Sequence, residues 1–414
     1  MKGFILYSTY EIEDNKAYVL LYGKLENGKS FLTKNHTRPY FYIESSKLKK
    51  AQKLAEFDHE ETNFKNFKGD KLTKVIIDLP KDIPSLRQKL EKEEIKCYEA
   101  DIRFAYRFMI DNCLQGTIEI TGNPENTGNP EKHNHVDVFF NEPELKSSQY
   151  TPQLKVLSLD IETASNVKYI YSISLYSKNY SKSFIVHNKK IKNAEVFKDE
   201  KSMLESFKEE FLKFDPDIIV GWNVIDFDLK TLHDFFKKHK IEFTLSRSEK
   251  PSTVKVFNDF MKDSTADFTG RVVLDGIALM RTSFIKLDDY KLGTAASEFL
   301  GEKKLIGENN KVEEIENFYK NEPEKLIEYN LKDAELVYKI LEKNKLVELT
   351  VKRSILTGMP LDRVKASVAS LDSLYLRKLR EIKIVAPSAS YTEKEKPITG
   401  GYVMSSKPGI YDYI

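Results

Sequence analysis

Two acids one residue apart close an apolar run in LKVLSLDIETAS: Asp160 and Glu162. Strand side chains alternate, so both project from one face, about 6–7 Å apart. Carboxylates that close repel unless a cation lies between them, and a divalent metal ion answers that need. Read alone, the pair is equally the solvated end of a strand. A second acid follows the apolar run of DIIVGWNVIDFDLK, which passes through Gly221 and Asn223 to Phe227 and Asp228, where a helix opens. Asp228 there is either a further ligand or an N-cap, and Phe227 is either functional or core. In EPEKLIEYNLKDAELVYKILEK the core stripe is Ile327, Leu331, Ala334, Val337 and Leu341. Tyr329 and Asp333, four apart, share a face beside that stripe, as a functional pair or as surface residues.

The elements that must position these residues alternate. Residues 154–345 read as KVLSLDIE, YSISLYS, SKSFIVHN, the helix DEKSMLESFKEEFLKF, the strand PDIIVGWN, the helix FDLKTLHDFFKKHK, RVVLDGIALM, and a long helix from about Pro323. That pattern predicts an α/β layer domain with a mixed sheet. Residues 1–153 read as short alternating strands (AYVLLYGKL, RPYFYIE, TKVIIDL) and a helix at PSLRQKLEKEEI, a smaller, mostly-β α+β unit. It ends in TGNPENTGNPEKHNH, where the repeated TGNPE, rich in turn residues, marks a surface excursion and a boundary near 150. In residues 346–414, Val364, Val368, Leu371, Tyr375, Leu379 and Ile382 recur at helical spacing, an amphipathic helix. A Gly- and Pro-rich tail follows.

The chain has 414 residues, enough for two or three cores. Charged residues make up 31% but the net charge is only +2, so any phosphate-facing surface is a local patch. Two cysteines, Cys97 and Cys113, without a CxxC pair, predict neither a disulfide framework nor a zinc ribbon. The N-terminal apolar run is too short for a signal segment and no stretch is long enough to span a membrane. The expectation is a soluble protein in a reducing, cytoplasmic compartment.

The order DxE, then N-x3-FD, then Y-x3-D on strand, loop-to-helix and helix resembles the DEDD exonucleases with a tyrosine in the third motif, and among them the proofreading domain of family B DNA polymerases. TRPYFYI and DIRFAYRFMID resemble the N-terminal domain of the archaeal-type enzymes, LTGMPLDRV the connector after the exonuclease domain, and TGGYV (Gly400, Gly401, Tyr402) the segment before the palm. The resemblance implies an RNase H-like 3′–5′ exonuclease domain with a smaller N-terminal mostly-β domain. It implies two Mg²⁺ or Mn²⁺ ions: Asp160 as bridging ligand, Glu162 and Asp333 completing one metal site, Asp228 helping hold the other. Hard oxygen donors without nearby His or Cys agree with those metals over zinc.

The resemblance further makes Tyr329 the residue that orients water, Phe227 the stacking partner of a terminal base, and Asn223, Gly400, Gly401 and Tyr402 DNA contacts. Its implied partners are a primer 3′ end and single-stranded template, with palm, fingers and thumb on a second polypeptide or an absent C-terminal part. LDSLYL (Leu371 to Leu376) imitates the first polymerase motif, but Tyr375 belongs to the helical stripe, no Pro follows, and there is no D-T-D. Archaeal relatives capture uracil with the N-terminal domain, and Arg38, Pro39, Tyr40, Ile83 and the segment from Asp101 to Ile110 stand where such a pocket would form. A plain DNA-guiding surface is the alternative there. A stand-alone exonuclease and a catalytically silent DNA-binding module are the alternatives for the whole chain.

Overall fold

A computed structural model describes residues 1–126, 135–257, 263–302, 311–389 and 409–410. Gly400, Gly401, Tyr402 and part of the TGNPE repeat lie outside them. The first strands are long and alternating, and they build a seven-stranded sheet in the spatial order Glu144–Ser147, Thr117–Thr121, Lys2–Glu13, Lys16–Leu25, Ser30–His36, Val138–Asn141, Glu125–Asn126. Helix Phe104–Asp111 closes one face, where Phe104, Phe108 and Met109 meet Ile5, Val19 and Leu21. A four-stranded sheet (Asp58–Lys65, Lys71–Ile76, Tyr40–Glu44, Cys97–Tyr98) has its own core around Phe41, Ile43, Val75 and Leu90.

The alternating middle of the chain forms a six-stranded mixed sheet, ordered Glu195–Phe197, Tyr180–Val186, Ile170–Ser177, Val156–Thr163, Ile218–Gly221, Val272–Asp275. Val156–Thr163 is antiparallel to Ile170–Ser177 and parallel to Ile218–Gly221. Its odd-numbered side chains, Leu157, Leu159 and Ile161, pack against Met203, Phe207 and Phe211 of helix Glu200–Phe214 and Leu232 and Phe236 of helix Lys230–Lys238. Alternation therefore commits Ser158, Asp160 and Glu162 to the opposite face, the side of helix Pro323–Lys343. On that side Leu336, Val337, Ile340 and Leu341 of this helix pack with Ile218, Val220, Val272 and Leu274, and with Phe4 and Leu6 of the first strand.

A buried ionic weld joins the two parts. Arg247, fully buried, forks onto Asp215 and onto Asp217 at 2.7 Å; Arg271 Nη1 lies 2.6 Å from Asp215, and Lys24 of strand Lys16–Leu25 lies 3.4 Å from Asp217. Further guanidinium hydrogens go to the carbonyls of Gly270, Leu245 and Pro216.

After helix Leu346–Thr357, the amphipathic pattern forms helix Ser367–Glu381. Most of its stripe does not become core: Val368, Leu371, Tyr375 and Ile382 are all more than half exposed and Leu379 is half-buried, whereas Val364, before the helix, is buried. The other face of the helix lies toward the N-terminal part, with Arg380 Nη1 3.1 Å from Asp111, and the following residues bridge Ile384 to Lys65 and Pro387 to Tyr98. No helix among the described residues is long and apolar enough to cross a membrane.

Candidate active site

Strand Val156–Thr163 delivers the first pair of acids, and the residues beneath the long helix explain how that helix comes close enough to add its own. Strand YSISLYS carries Ser172 and Ser174 opposite Glu162 and Asp160, and both serines are fully buried. Small side chains there admit helix Pro323–Lys343. Asn330 is the spacer: it accepts a hydrogen bond from Ser172 Oγ (2.9 Å) and donates Nδ2–H to Asp160 Oδ2 (2.6 Å). With Asn330 against the strand, its neighbour Tyr329 and, three residues on, Asp333 are brought to the acids. One carboxylate oxygen each from Asp160, Glu162 and Asp333 all lie within 4.8 Å of one another. Tyr329 and Asp333 are 1% and 3% exposed, so they are interior residues on a helix buried over two faces, and not a surface pair.

Asp228 arrives differently. After strand Ile218–Gly221 the chain doubles back so tightly that a Cβ on Gly221 would meet Val224 at 2.6 Å and the Leu159 carbonyl at 2.9 Å, which requires glycine. Asn223 takes φ 61° and Val224 donates its N–H to Asp275 Oδ2 at 2.8 Å. A single turn of π-helix, Ile225–Leu229, then precedes helix Lys230–Lys238. The wider turn aims Asp228 inward, the kind of use to which π-turns are put at functional sites. Asp228 is therefore not an N-cap: its Oδ1 accepts the backbone N–H of Ile161, the residue between the two acids, at 3.1 Å.

The electrostatics call for a cation. Burial, then the charges of Asp160 and Glu162, push the Asp228 carboxyl well above the usual carboxylate range. Among the described residues no Lys, Arg or His forms an ion pair with Asp228. Burial, then the charge of Asp333, raises the Tyr329 phenol, which shares a hydrogen bond with that carboxylate and stays protonated. All-oxygen donors around a charge deficit fit a hard divalent ion.

These residues line a cleft of about 580 Å³ with Thr163, Ala164, Ser165, Val167, Trp222, Phe227, Lys291, Leu292, Val312 and Ile315. Phe227 stands 39% exposed in it. Asn223 is exposed but does not line it. Asn330, Trp222 and Lys291 were not singled out from the sequence; only the Asn330 position, between Tyr329 and Asp333 on the helix, offered a signal. The candidate uracil residues divide. Ile83 and Asp101 to Tyr106 share one cleft with Tyr7 and Tyr10, whereas Arg38 is ion-paired to Asp58 and Asp78 in a separate one, and Tyr40 is buried with its hydroxyl on Asp111.

Residues 95–295 match the family model described as DNA polymerase family B, exonuclease domain. The match contains Asp160, Glu162, Asn223, Phe227 and Asp228, and the fold adds Tyr329 and Asp333 to the same cleft. DNA polymerase II of Escherichia coli is 26% identical over 428 residues, covering 100% of this chain and 52% of the relative. The chain carries a segment similar to the exonuclease domain of DNA polymerase family B. A DNA polymerase of Methanocaldococcus jannaschii is 26% identical over 430 residues, 98% of this chain and 25% of that protein. The solved family B DNA polymerase of Pyrobaculum calidifontis, at 22% identity, has the same fold with a TM-score of 0.77, over 95% of this chain and 52% of that one. The chain thus spans about half the length of the Escherichia coli relative, and less of the Methanocaldococcus one.

Proposed function

We propose that this chain is the N-terminal and proofreading portion of a family B DNA polymerase, and that the cleft hydrolyses single-stranded or mismatched DNA from its 3′ end. The observation that carries the proposal is the convergence of four carboxylates and Tyr329, from a strand, a π-turn and a helix, on one cleft. Asp160, Glu162, Asp228 and Asp333 would hold a pair of Mg²⁺ or Mn²⁺ ions. When bound, such ions activate water, neutralise charge on the scissile phosphate and assist the departing 3′ oxygen.

The chain's own residues do the positioning. Asn330 fixes Asp160 in one rotamer, and the Ile161 N–H fixes Asp228. Tyr329, held protonated beside Asp333, keeps its oxygen lone pairs to accept a hydrogen bond from the attacking water. Phe227 offers an aromatic face to an unpaired base, which stacks without regard to sequence. A frayed mismatch reaches such a cleft more readily than a paired end, so part of the selectivity belongs to the DNA.

Nucleotide addition is assigned to a further part, on this or a second polypeptide. The exposed stripe Val368, Leu371, Tyr375 and Ile382 supports this, because a monomer seldom leaves such a row to water. A DNA substrate puts the protein in the cytoplasm, at the nucleoid in a prokaryote. The two-part test is a primed template with Mg²⁺ and nucleotides. Shortening from the 3′ end without extension is expected; extension by this chain alone, or no shortening, contradicts the proposal, and the second outcome favours a silent binding module. On this reading the chain divides into an N-terminal domain (1–153), the exonuclease domain (154–345) and a connector (346–414).

A further inference from the structure

Asp275 ends strand Val272–Asp275 and serves two elements at once. The strand runs parallel to Ile218–Gly221 with Asp275 in register with Gly221, and both chains turn away at that point. Glycine lets the two ends come close: a Cβ on Gly276 would meet the Trp222 ring at 2.9 Å and the Gly221 carbonyl at 3.0 Å. Asp275 Oδ1 accepts the Ala278 N–H at 3.0 Å and caps helix Gly276–Thr282. Oδ2 crosses to the neighbouring turn and accepts the Val224 N–H at 2.8 Å. Ser or Asn would cap the helix as well as Asp, so capping alone does not call for a carboxylate. Serving two N–H donors does, because an ionised carboxylate presents two oxygens that only accept.

What Asp275 holds decides the shape of the turn that carries Asp228. Val224 stands just before the π-turn Ile225–Leu229, and its carbonyl accepts the Leu229 N–H at 2.8 Å, the i to i+5 bond that makes the turn wide. Val224 is thus pinned at its N–H by Asp275 and at its carbonyl by the turn itself. A relaxation to ordinary α-helical spacing would drop one residue from the turn and swing Asp228 by about 100°. In the turn as it stands, Asp228 reaches the Ile161 N–H, between Asp160 and Glu162. Asp275 does not line the cleft of the acids; with Ile225 and Ala278 it lines a separate cavity.

We propose that Asp275 is a positioning residue of the acid cleft: through Val224 it holds the π-turn in the register that keeps Asp228 among the other acids, and so sets how tightly the cation that Asp228 serves is bound. It touches neither cation nor DNA. The inference rests on the reading of the cleft as a two-cation exonuclease site. It deepens that reading by giving part of the cation affinity to a residue outside the three acid motifs, on a different strand.

The test uses the full chain and Asp275→Ser, whose single oxygen keeps the cap and leaves Val224 without its acceptor. Asp275→Asn, of the same size and able to serve one donor at a time, repeats the comparison with less loss of packing. The control is Asp199→Ala, since Asp199 caps helix Glu200–Phe214 through Ser202 and lies outside the cleft. Thermal melting of the metal-free proteins matches the variants for lost stability. Mn²⁺ titration of both Asp275 variants should show one site near wild-type affinity and a second weakened about 10–100-fold, while Asp199→Ala takes up Mn²⁺ as the wild type does. In hydrolysis of a 5′-labelled single strand, the Mn²⁺ concentration at half-maximal rate should rise by a similar factor, with KM for DNA near wild type. Amide exchange at Leu229 should quicken in the metal-free Asp275 variants alone. Wild-type Mn²⁺ uptake by both Asp275 variants, or an equal loss in Asp199→Ala, overturns the inference while leaving the exonuclease reading intact. Neither Mn²⁺ uptake nor hydrolysis by the wild type itself sinks that reading and this inference with it.

Discussion

Two sets of buried acids sit on the same sheet and are handled in opposite ways. Asp215 and Asp217, just before strand Ile218–Gly221, receive Arg247, Arg271 and Lys24, and their negative charge is matched inside the protein. Burial alone would raise the Asp215 carboxyl, but the two arginines and Lys24 hold it down at about 2. Asp228, beyond the other end of that strand, has the Ile161 N–H but is set among further acids, and burial with the charges of Asp160 and Glu162 raises it. The first arrangement is finished by the fold and the second is left for something to be added. A carboxylate's neighbours, more than its burial, tell structural from functional use here.

The largest effect should come from removing the pair of acids on the strand. Asp160→Ala with Glu162→Ala should bring hydrolysis of a labelled single strand to background while circular dichroism stays unchanged, because the apolar face of their strand, Leu157, Leu159 and Ile161, keeps its packing; retained Mg²⁺-dependent cleavage would break the contrast. The converse change is Arg247→Met, which removes the guanidinium shared by two carboxylates and leaves Asp217, fully buried, with Lys24 as its remaining ion pair. It should cost about 3–5 kcal/mol in denaturant unfolding and leave cleavage per folded molecule near wild type. A loss below about 1 kcal/mol would show that the weld is ornamental.

Acid separates the sets next. Asp215 is depressed in the folded state, so its contribution is present above the unfolded pKa near 3.8 and is lost as pH falls through about 2, on the order of 2 kcal/mol. Asp228 is raised, so its contribution is present below its unfolded value and is lost as pH rises through the folded one. Unfolding of the metal-free protein, followed from pH 7 to 2, should therefore show stability flat or rising on mild acidification and falling only below about 4. A monotonic fall from pH 7 would contradict both assignments. The smallest expected effect is that of Tyr329→Phe, about tenfold in kcat with metal binding retained. An unchanged rate would remove the tyrosine from the reaction.

The acids were legible because a strand's period of two is visible without a structure: Asp160 and Glu162 had to share a face whatever covered it. The pair on the helix was read correctly as sharing a face, yet Tyr329 and Asp333 are as buried as the stripe beside them. What buries them is a neighbouring strand whose Ser172 and Ser174 are small enough to let the helix down, a match between residues more than 150 apart that no local window contains. Asp228 followed a helix-start pattern and proved to lie in a π-turn, because hydrogen bonding to Ile161 outweighs capping at that position. In helix Ser367–Glu381 the periodicity was right and its usual meaning was not: an apolar stripe says that a face suits covering and says nothing of what covers it. Arg38 illustrates the same limit, since its partners Asp58 and Asp78 come from elsewhere in the chain.

The central claim is that the four carboxylates converging on the cleft are a cation site, and Mn²⁺ binding tests it without requiring catalysis. Titrated by paramagnetic resonance or calorimetry near neutral pH, the wild-type chain should take up Mn²⁺ with a stoichiometry of about two, and the Asp160→Ala, Glu162→Ala chain should take up essentially none. Equal uptake by both proteins, or none by the wild type, would contradict the account.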